Sequence, residues 1–490
     1  MAEILTTQMM RESDRRAING NEENSRVLMH LAAQGVYKSV VWQGNIGIVC
    51  GNGNNGGDGY ALALILLENN IKSNIIMAKG EPKSNTAAHY YYEKCIQNKI
   101  PIYTNEESLE KYDILVDAIF GTGFSGDITG ELADLICAYN KAKATKISID
   151  INSGLNGDTG MGTVIAKSDI TVSIGSYKPG HFLNMAKDYI GSLVNCDIGI
   201  EPIDSIGELF NEEMARELLP KRPSFSYKGT YGYASIIGGM LEYTGAMKLA
   251  ATSACAVRSG AGIVRVCVPR SIAPYIAPHI MESTLYIMSE ADGVISYNFD
   301  EIDYIIKNSS AIAYGMGTTV NDDGVKIIEH ILREFDGALI LDAGGIRCLS
   351  QIDENAIKNK RASLVITPHI GEIKAIYKEY KNPLDAINLA KKIDATVLLK
   401  GPTTVITNGQ SAYFVTRGCS GMATGGSGDV LSGIICALCG YIKDPLKASA
   451  LGAYINGMAG EMAMDDLCDI SMSAYDTALN VARAITKIKK

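Results

Sequence analysis

The sequence predicts an α/β protein of two domains. Over the first 200 residues, short β-rich runs alternate with helical stretches, a pattern that implies a parallel sheet covered on both faces. A second alternation begins near residue 227. Between them, a charged helix-like piece at 211–219 leads into Pro220-Lys221-Arg222-Pro223-Ser224, whose two prolines disfavour continued helix. At 490 residues the chain is also too long for one ordinary core. The expected organisation is a Rossmann-like domain over 1–210, a linker over 211–226 and a second α/β domain over 227–490.

Composition narrows the function. Hydrophobic content of 47% with 20% charged residues is that of a folded soluble protein. A net charge of −9 and the lack of a long Lys/Arg run argue against a nucleic-acid surface. No apolar stretch approaches the ~18 residues that span a bilayer, so no membrane association is expected. Met1-Ala2-Glu3-Ile4 has no basic region leading into an apolar one, so no signal peptide is expected. The 11 cysteines are scattered through apolar segments and read as reduced thiols of a cytoplasmic protein. Cys436 and Cys439 form a C-x-x-C inside an apolar helix, with no second ligand pair to make a zinc site.

In the first domain, strands are expected at 46–50, 74–77, 114–118, 146–151, 170–174 and 192–196, with helices at 60–69 and 86–98 among them. The first strand runs into Gly51-Asn52-Gly53-Asn54-Asn55-Gly56-Gly57-Asp58-Gly59-Tyr60, a phosphate loop in the Rossmann position without the usual G-x-G-x-x-G. Asp117 ends an apolar strand before Gly121-Thr122-Gly123-Phe124-Ser125-Gly126-Asp127, and Asp150 ends another before Ile151-Asn152-Ser153-Gly154. Strand carboxyl ends are where open α/β sheets bind ligands, so these loops can share one crevice. The oxygens of Asn55, Asp117 and Ser153 suit a hard, monovalent cation, and Asp150 is the candidate acid/base.

In the second domain, strands are expected at 233–237, 263–268, 311–314, 338–341, 363–367, 396–399 and 404–407, with an Ala-rich helix at 246–258. Its most informative segment is Gly421-Met422-Ala423-Thr424-Gly425-Gly426-Ser427-Gly428-Asp429, followed by an apolar run. Small residues free a row of backbone N–H groups at a helix start, which makes an anion site, and Asp429 stands directly beside it. Such a cradle with an adjacent base suits an enzyme that handles a phosphate next to a hydroxyl. Gly317, Thr367-Pro368-His369-Ile370-Gly371-Glu372 and Lys400-Gly401-Pro402-Thr403-Thr404 also lie at strand ends and can face the same cleft.

Asn54-Asn55-Gly56-Gly57-Asp58-Gly59, Asp117-x-x-x-Gly121-Thr122-Gly123 and Asp150-x-x-Ser153-Gly154 resemble the epimerase domain of the NAD(P)H-hydrate repair family. Met10 to Ile18 resembles that family's first helix, and 227–460 resembles its ribokinase-like dehydratase half. The resemblance implies that Asn54, Asn55, Gly56, Gly57, Asp58, the loop from Gly121 to Asp127 and Asp150 bind the hydrated dinucleotide (NADHX or NADPHX). It implies K+ at Asn55, Asp117 and Ser153. In the second domain, Ala246, Gly317, His369 and Asp429 would face the hydrated nicotinamide nucleotide. Lys400, Gly401, Pro402, Thr403, Thr404 and the run Cys419, Ser420, Gly421, Met422, Ala423, Thr424, Gly425, Gly426, Ser427 and Gly428 would hold ADP, with Mg2+ at its phosphates. A homo-oligomer is expected on the same ground. Asn152 and Ile370 stand where the family usually has proline, and Gly344 where it usually has Asp. The implied activity is exchange of the R and S hydrate epimers and ADP-dependent dehydration of the S form. A ribokinase-like kinase for a small alcohol or vitamin, fused to a non-catalytic binding domain, is the alternative.

Overall fold

The computed structural model describes residues 3–104, 108–254 and 258–490. The chain forms two compact units, one ending at Glu208 and the other starting at Leu209. Among the described residues, no helix is long and apolar enough to cross a membrane.

The first unit is a parallel sheet in the spatial order Ile102–Thr104, Ser73–Met77, Ile46–Cys50, Ile114–Ala118, Thr145–Ile149, Ser168–Ile174, Ile190–Cys196. Its two central strands, Ile46–Cys50 and Ile114–Ala118, are buried at every position, as a sheet covered on both faces requires. The strand expected to reach residue 151 stops at Ile149. Asp150 takes a φ of +66°, in the left-handed region that Asp tolerates better than most residues, and the chain turns out of the sheet there.

A larger difference lies at the Gly-rich segment. The helix expected from residue 60 begins at Asn54 and runs to Glu68, so only Gly51-Asn52-Gly53 form a loop, and Gly56, Gly57 and Gly59 lie in the first turns of the helix. They are there for closeness. A Cβ on Gly56 would lie 2.0 Å from the Gly51 carbonyl oxygen, and one on Gly59 would lie 2.8 Å from the Ala118 Cβ. The helix start is therefore pressed directly onto the ends of the two central strands.

The second unit orders its strands Ala412–Val415, Thr404–Thr407, Thr396–Leu399, Ser363–Ile366, Ala338–Leu341, Ala311–Tyr314, Tyr233–Ile237, Ile263–Pro269, Thr284–Met288. Pairing is parallel from Thr284–Met288 through Thr396–Leu399, and antiparallel at the last two pairs. On one face, helix Ser427–Cys439, buried at every position from Val430 on, packs with Thr244–Ala254 and Pro445–Asp466. The Ala-rich helix expected to reach residue 258 is described only to Ala254, and 255–257, with Cys255, lie outside the described residues. Within the segment expected as a linker, helix Glu212–Leu218 packs into this unit through Ala215, and Arg216 Nε donates to the Ile488 carbonyl at 2.9 Å.

Candidate functional site

The first unit contains a cavity of about 740 Å3 at the carboxyl ends of its central strands. Asn54, Asn55, Asp58, the loop from Gly121 to Ser125 and Asp150 line it. Helix Thr7–Ile18 contributes Met10, Arg11, Asp14 and Ile18. Of the remaining sequence-predicted residues, Gly56 and Gly57 serve helix packing. Asp127 is exposed and accepts from the Thr163 hydroxyl at 3.2 Å, and Gly126 beside it turns with φ +104°. Asp127 caps no helix, since the next helix, Glu131–Lys141, starts after Gly130.

Asp150 is the chemical centre of this cavity. Its Oδ1 accepts from Lys178 Nζ at 2.5 Å, and its Oδ2 accepts from the Thr122 N–H at 3.1 Å. Burial by itself would raise this carboxyl, but the Lys178 charge and hydrogen bond outweigh it and hold the pKa below the usual value. Lys178 is 1% exposed and also donates to the Ile174 carbonyl. His181 Nε2 lies 2.7 Å from the Asp150 carbonyl, and burial, helped by Lys178, pushes its pKa down to about 4. The ring is therefore neutral at pH 7 and fixes the Asp150 turn.

Beside Asp150 lies the expected cation site. Asp117 is fully buried and, among the described residues, accepts from neutral groups alone: Ser153 Oγ and N, Ser148 Oγ and Ile119 N. Burial raises its pKa even against those hydrogen bonds. Asn55, 7% exposed, has neither Oδ1 nor Nδ2 paired. A buried amide left so costs about 1–3 kcal/mol, a cost that a bound ligand removes. A Cβ on Gly121 would lie 3.0 Å from Asp150 Oδ2 and 3.4 Å from the Asn55 side chain, so both groups abut that glycine. Neutral oxygens around one buried carboxylate fit a monovalent cation.

In the second unit, Asp342 follows the strand Ala338–Leu341 and is 2% exposed. Its Oδ1 accepts from Lys400 Nζ at 2.9 Å and its Oδ2 from Ser432 Oγ at 2.8 Å. Glu372 Oε2 stands 3.8 Å from the same Nζ. A Cβ on Gly428 would lie 3.3 Å from Lys400 Nζ and 3.4 Å from Asp342 Oδ2, which puts the ion pair against the first turn of Ser427–Cys439. Gly426 precedes that turn at φ +96°, and no side chain caps it, so its leading N–H groups are open to an anion. Asp429 is in this turn, and burial, then Asp342, raise its pKa to about 7 against the pull of Lys400.

Gly317, at φ +64°, packs against the start of helix Thr244–Ala254, since a Cβ there would meet the Ala246 Cβ at 3.2 Å. His369 caps helix Ile370–Ile376: its Nδ1 accepts from the N–H groups of Gly371 and Glu372. Its Nε2 lies 3.6 Å from Glu372 Oε1, and the side chain is 57% exposed. Lys400 N donates to the Pro368 carbonyl, which ties the Lys400-Gly401-Pro402 turn to the His369 loop. Thr403 Oγ1 is buried without a partner, whereas Thr404 opens a strand. In the run from Cys419, Cys419 Sγ packs 3.5 Å from the Gly460 carbonyl and Ser427 Oγ donates to Met422 O at 2.8 Å. Ala423, Thr424 and Gly425 are exposed.

Asp14, Lys178, Asp342 and Ser432 are absent from the site residues expected from the sequence. Lys178 carried a readable signal, because it precedes Pro179-Gly180 just after an apolar strand, and Asp342 ends an apolar strand as Asp150 does. Ser432 carried none: one serine in a buried helix becomes informative only when Asp342 is found opposite it.

Comparison with known proteins agrees with both halves. A family model described as NAD(P)H-hydrate dehydratase matches residues 234–482, and one described as YjeF-related protein N-terminus matches 25–180. The chain is 32% identical to the bifunctional NAD(P)H-hydrate repair enzyme Nnr of Moorella thermoacetica, over 96% of this chain and 94% of that one. It is 31% identical to the enzyme of the same name from Thermofilum pendens, over 86% of this chain and 83% of that one. Among solved structures, the ADP/ATP-dependent NAD(P)H-hydrate dehydratase of Bacillus subtilis, co-crystallised with ATP and Mg2+, matches with a TM-score of 0.50 and 26% identity. That match covers 57% of this chain and 98% of the other.

Proposed function

The chain belongs to the NAD(P)H-hydrate repair family, and we propose on that footing that its two units catalyse successive steps on hydrated NADH or NADPH. The first unit exchanges the R and S epimers at the hydrated ring carbon. The second dehydrates the S epimer, with ADP converted to AMP and phosphate. The observation that carries the reading is the pairing of two differently tuned aspartates in one chain: Asp150, held ionised by Lys178, and Asp429, held near neutrality beside an open helix start.

In the second unit, Asp429 takes the proton of the ring hydroxyl as its oxygen forms a bond to the terminal phosphorus of ADP. The bond from that phosphorus to AMP breaks. Lys400 and the leading N–H groups of Ser427–Cys439 offset the negative charge on the transferring group. The ring nitrogen's electron pair then expels the phosphate, a far better leaving group than hydroxide. Loss of a proton from the neighbouring carbon restores the dihydropyridine. Lys400 to Thr404 and Cys419 to Gly428 hold the nucleotide in this reading, and Ala246, Gly317 and His369 face the hydrated ring. Among the described residues no three acidic, His or Cys side chains gather as a metal site. A Mg2+ that keeps its waters and takes phosphate oxygens fits this donor set.

In the first unit, K+ would be held by Asn55, Asp117 and Ser153, supplying a fixed positive charge near the substrate. Asp150 moves the proton, and Thr122 N–H and Lys178 fix its orientation. The reading includes a cytoplasmic location and self-assembly into a homo-oligomer, both resting on the family.

The experiment is single-turnover conversion of purified S hydrate with ADP and Mg2+, following NADH absorbance and phosphate release. Equimolar NADH, AMP and phosphate, abolished in Asp429→Ala, is the expected result. Phosphorylation of an unrelated alcohol with no NADH formed would replace this reading by that of a small-alcohol kinase.

A further inference from the structure

An epimerisation has to serve both faces of one carbon, and the first cavity offers acidic groups on two walls. Asp150 stands on the strand-end wall and Asp14 on the wall made by helix Thr7–Ile18. That helix is fixed over the cavity in its first two turns. Thr7 donates from N and Oγ1 to the Asp158 carboxylate, at 2.7 and 2.6 Å, and Arg11 donates to the Thr122 carbonyl at 3.0 Å. Thr122 in turn donates its N–H to Asp150 Oδ2 at 3.1 Å, so one backbone unit registers both walls. Asp14 lies one turn beyond Met10 and beside Arg11 on the cavity-lining face. Among the described residues, no hydrogen bond or ion pair ties its carboxylate to the protein, which leaves it free to meet a substrate.

We propose that Asp14 is the second proton-transfer group of the epimerisation, acting on the ring face opposite the one served by Asp150. The inference rests on the epimerase reading given above. In one direction, Asp14 gives its proton to the departing hydroxyl. The C–O bond breaks, its electron pair leaves with oxygen as water, and the ring nitrogen's pair forms the iminium. A water then adds to the other face, forming the new C–O bond and passing its proton to Asp150. One water leaves and one enters, and the reverse reaction uses the same groups with roles exchanged.

The charged groups facing Asp14 are Asp58 from helix Asn54–Glu68, Asp150, Lys178 and its own helix neighbour Arg11. Burial lifts the Asp14 carboxyl to about 6, Lys178 pulls it down and Asp150 pushes it up. Asp150 is meanwhile held low, and two carboxyls pushed apart in this way make an acid and a base.

The test is the full-length Asp14→Asn protein, assayed for conversion of purified R hydrate to S hydrate across pH 5–9 at saturating K+. The expected result is a kcat lower by about 100-fold, a KM within about threefold and loss of the limb that falls above pH ~6. Dehydration of purified S hydrate stays at the wild-type rate, and an unfolding transition of the first unit unchanged from wild type shows that this unit is folded. Asp14→Glu retains a kcat within about tenfold of wild type and moves that limb. A kcat for Asp14→Asn within about twofold of wild type, or a change in KM alone with the limb in place, overturns the inference while leaving the epimerase reading intact. A wild-type protein that does not exchange the epimers overturns both.

Discussion

At Asp429, burial and the neighbouring Asp342 carboxylate lift the pKa to about 7, and Lys400 only partly opposes them. As a base it works deprotonated, so dehydratase kcat/KM should rise about tenfold per pH unit below ~7 and level off above it. The linkage has the opposite sign for stability. A carboxyl whose folded pKa lies above its unfolded value adds stability at low pH and loses it as pH rises through about 7. Asp429→Asn should therefore abolish dehydration yet raise the melting temperature at pH 8, by roughly 1 kcal/mol of stability. A melting temperature lowered at pH 8 would show that the buried charge is not a cost. Asn55 is the counterpart in the first unit, its side-chain amide buried and unpaired. Asn55→Ala should remove K+ activation of epimerisation and, in the absence of K+, leave the first unit at least as stable as wild type, because no protein hydrogen bond is lost and an unpaired buried amide is removed. Unchanged K+ dependence of the initial rate would remove Asn55 from the cation site. At this scale the sequence singled out Asp117, Asp150 and Asp429 but passed over Asp342, which closes an apolar strand in the same way. It did not reveal Lys178 or Ser432 as their partners, since pairing across 28 and 90 positions exists only once the strands are assembled.

Helices and strands carry the next level of information. The Gly-rich run after Ile46–Cys50 signalled a binding site, but its local conformation was misread, because glycine there answers the closeness of helix and strand rather than a need for a loop. Strand placement was largely legible, as buried β-branched runs have few other uses. The edge strands Ile102–Thr104 and Thr284–Met288 were not expected, being short or partly exposed. Asn152, which stands where the family usually has proline, has a structural role of its own. It is fully buried, donates to the Ala166 and Tyr189 carbonyls and Ser168 Oγ, and accepts from Thr171 Oγ1, so it ties the turn after Thr145–Ile149 to the next strand. Asn152→Ala should cost about 2 kcal/mol in the unfolding of the first unit, since the Ala166 and Tyr189 carbonyls lose their donor while Ser168 Oγ and Thr171 Oγ1 keep each other at 2.7 Å. A cost below about 1 kcal/mol would mean the turn rearranges freely. Gly344 has a packing reason as well, because a Cβ there would lie 2.4 Å from Thr318 Oγ1.

Across the whole chain, the two units carry separate chemistry on the same substrate. Asp342→Asn probes that separation from the dehydratase side. It leaves Lys400 without its closest partner at a cost of about 3 kcal/mol, and it removes a carboxylate that raises Asp429. The nucleotide KM should rise, the midpoint of the dehydratase pH profile should fall below about 7, and the epimerase rate should stay as in wild type. A pH midpoint that does not move would contradict the electrostatic account of Asp429. The family and the two-domain order were legible because each unit carries its own Gly-rich motifs at strand ends, where ligands bind in such sheets. A mixture of both hydrate epimers separates the two activities in a single experiment. NADH absorbance and epimer composition are followed by chromatography with and without ADP, in wild type, Asp150→Ala and Asp429→Ala. Wild type should consume both epimers completely and only with ADP, Asp150→Ala should consume the S form alone, and Asp429→Ala should exchange the epimers without forming NADH. Consumption of only one epimer by the wild-type chain would contradict the claim that its first unit is an epimerase.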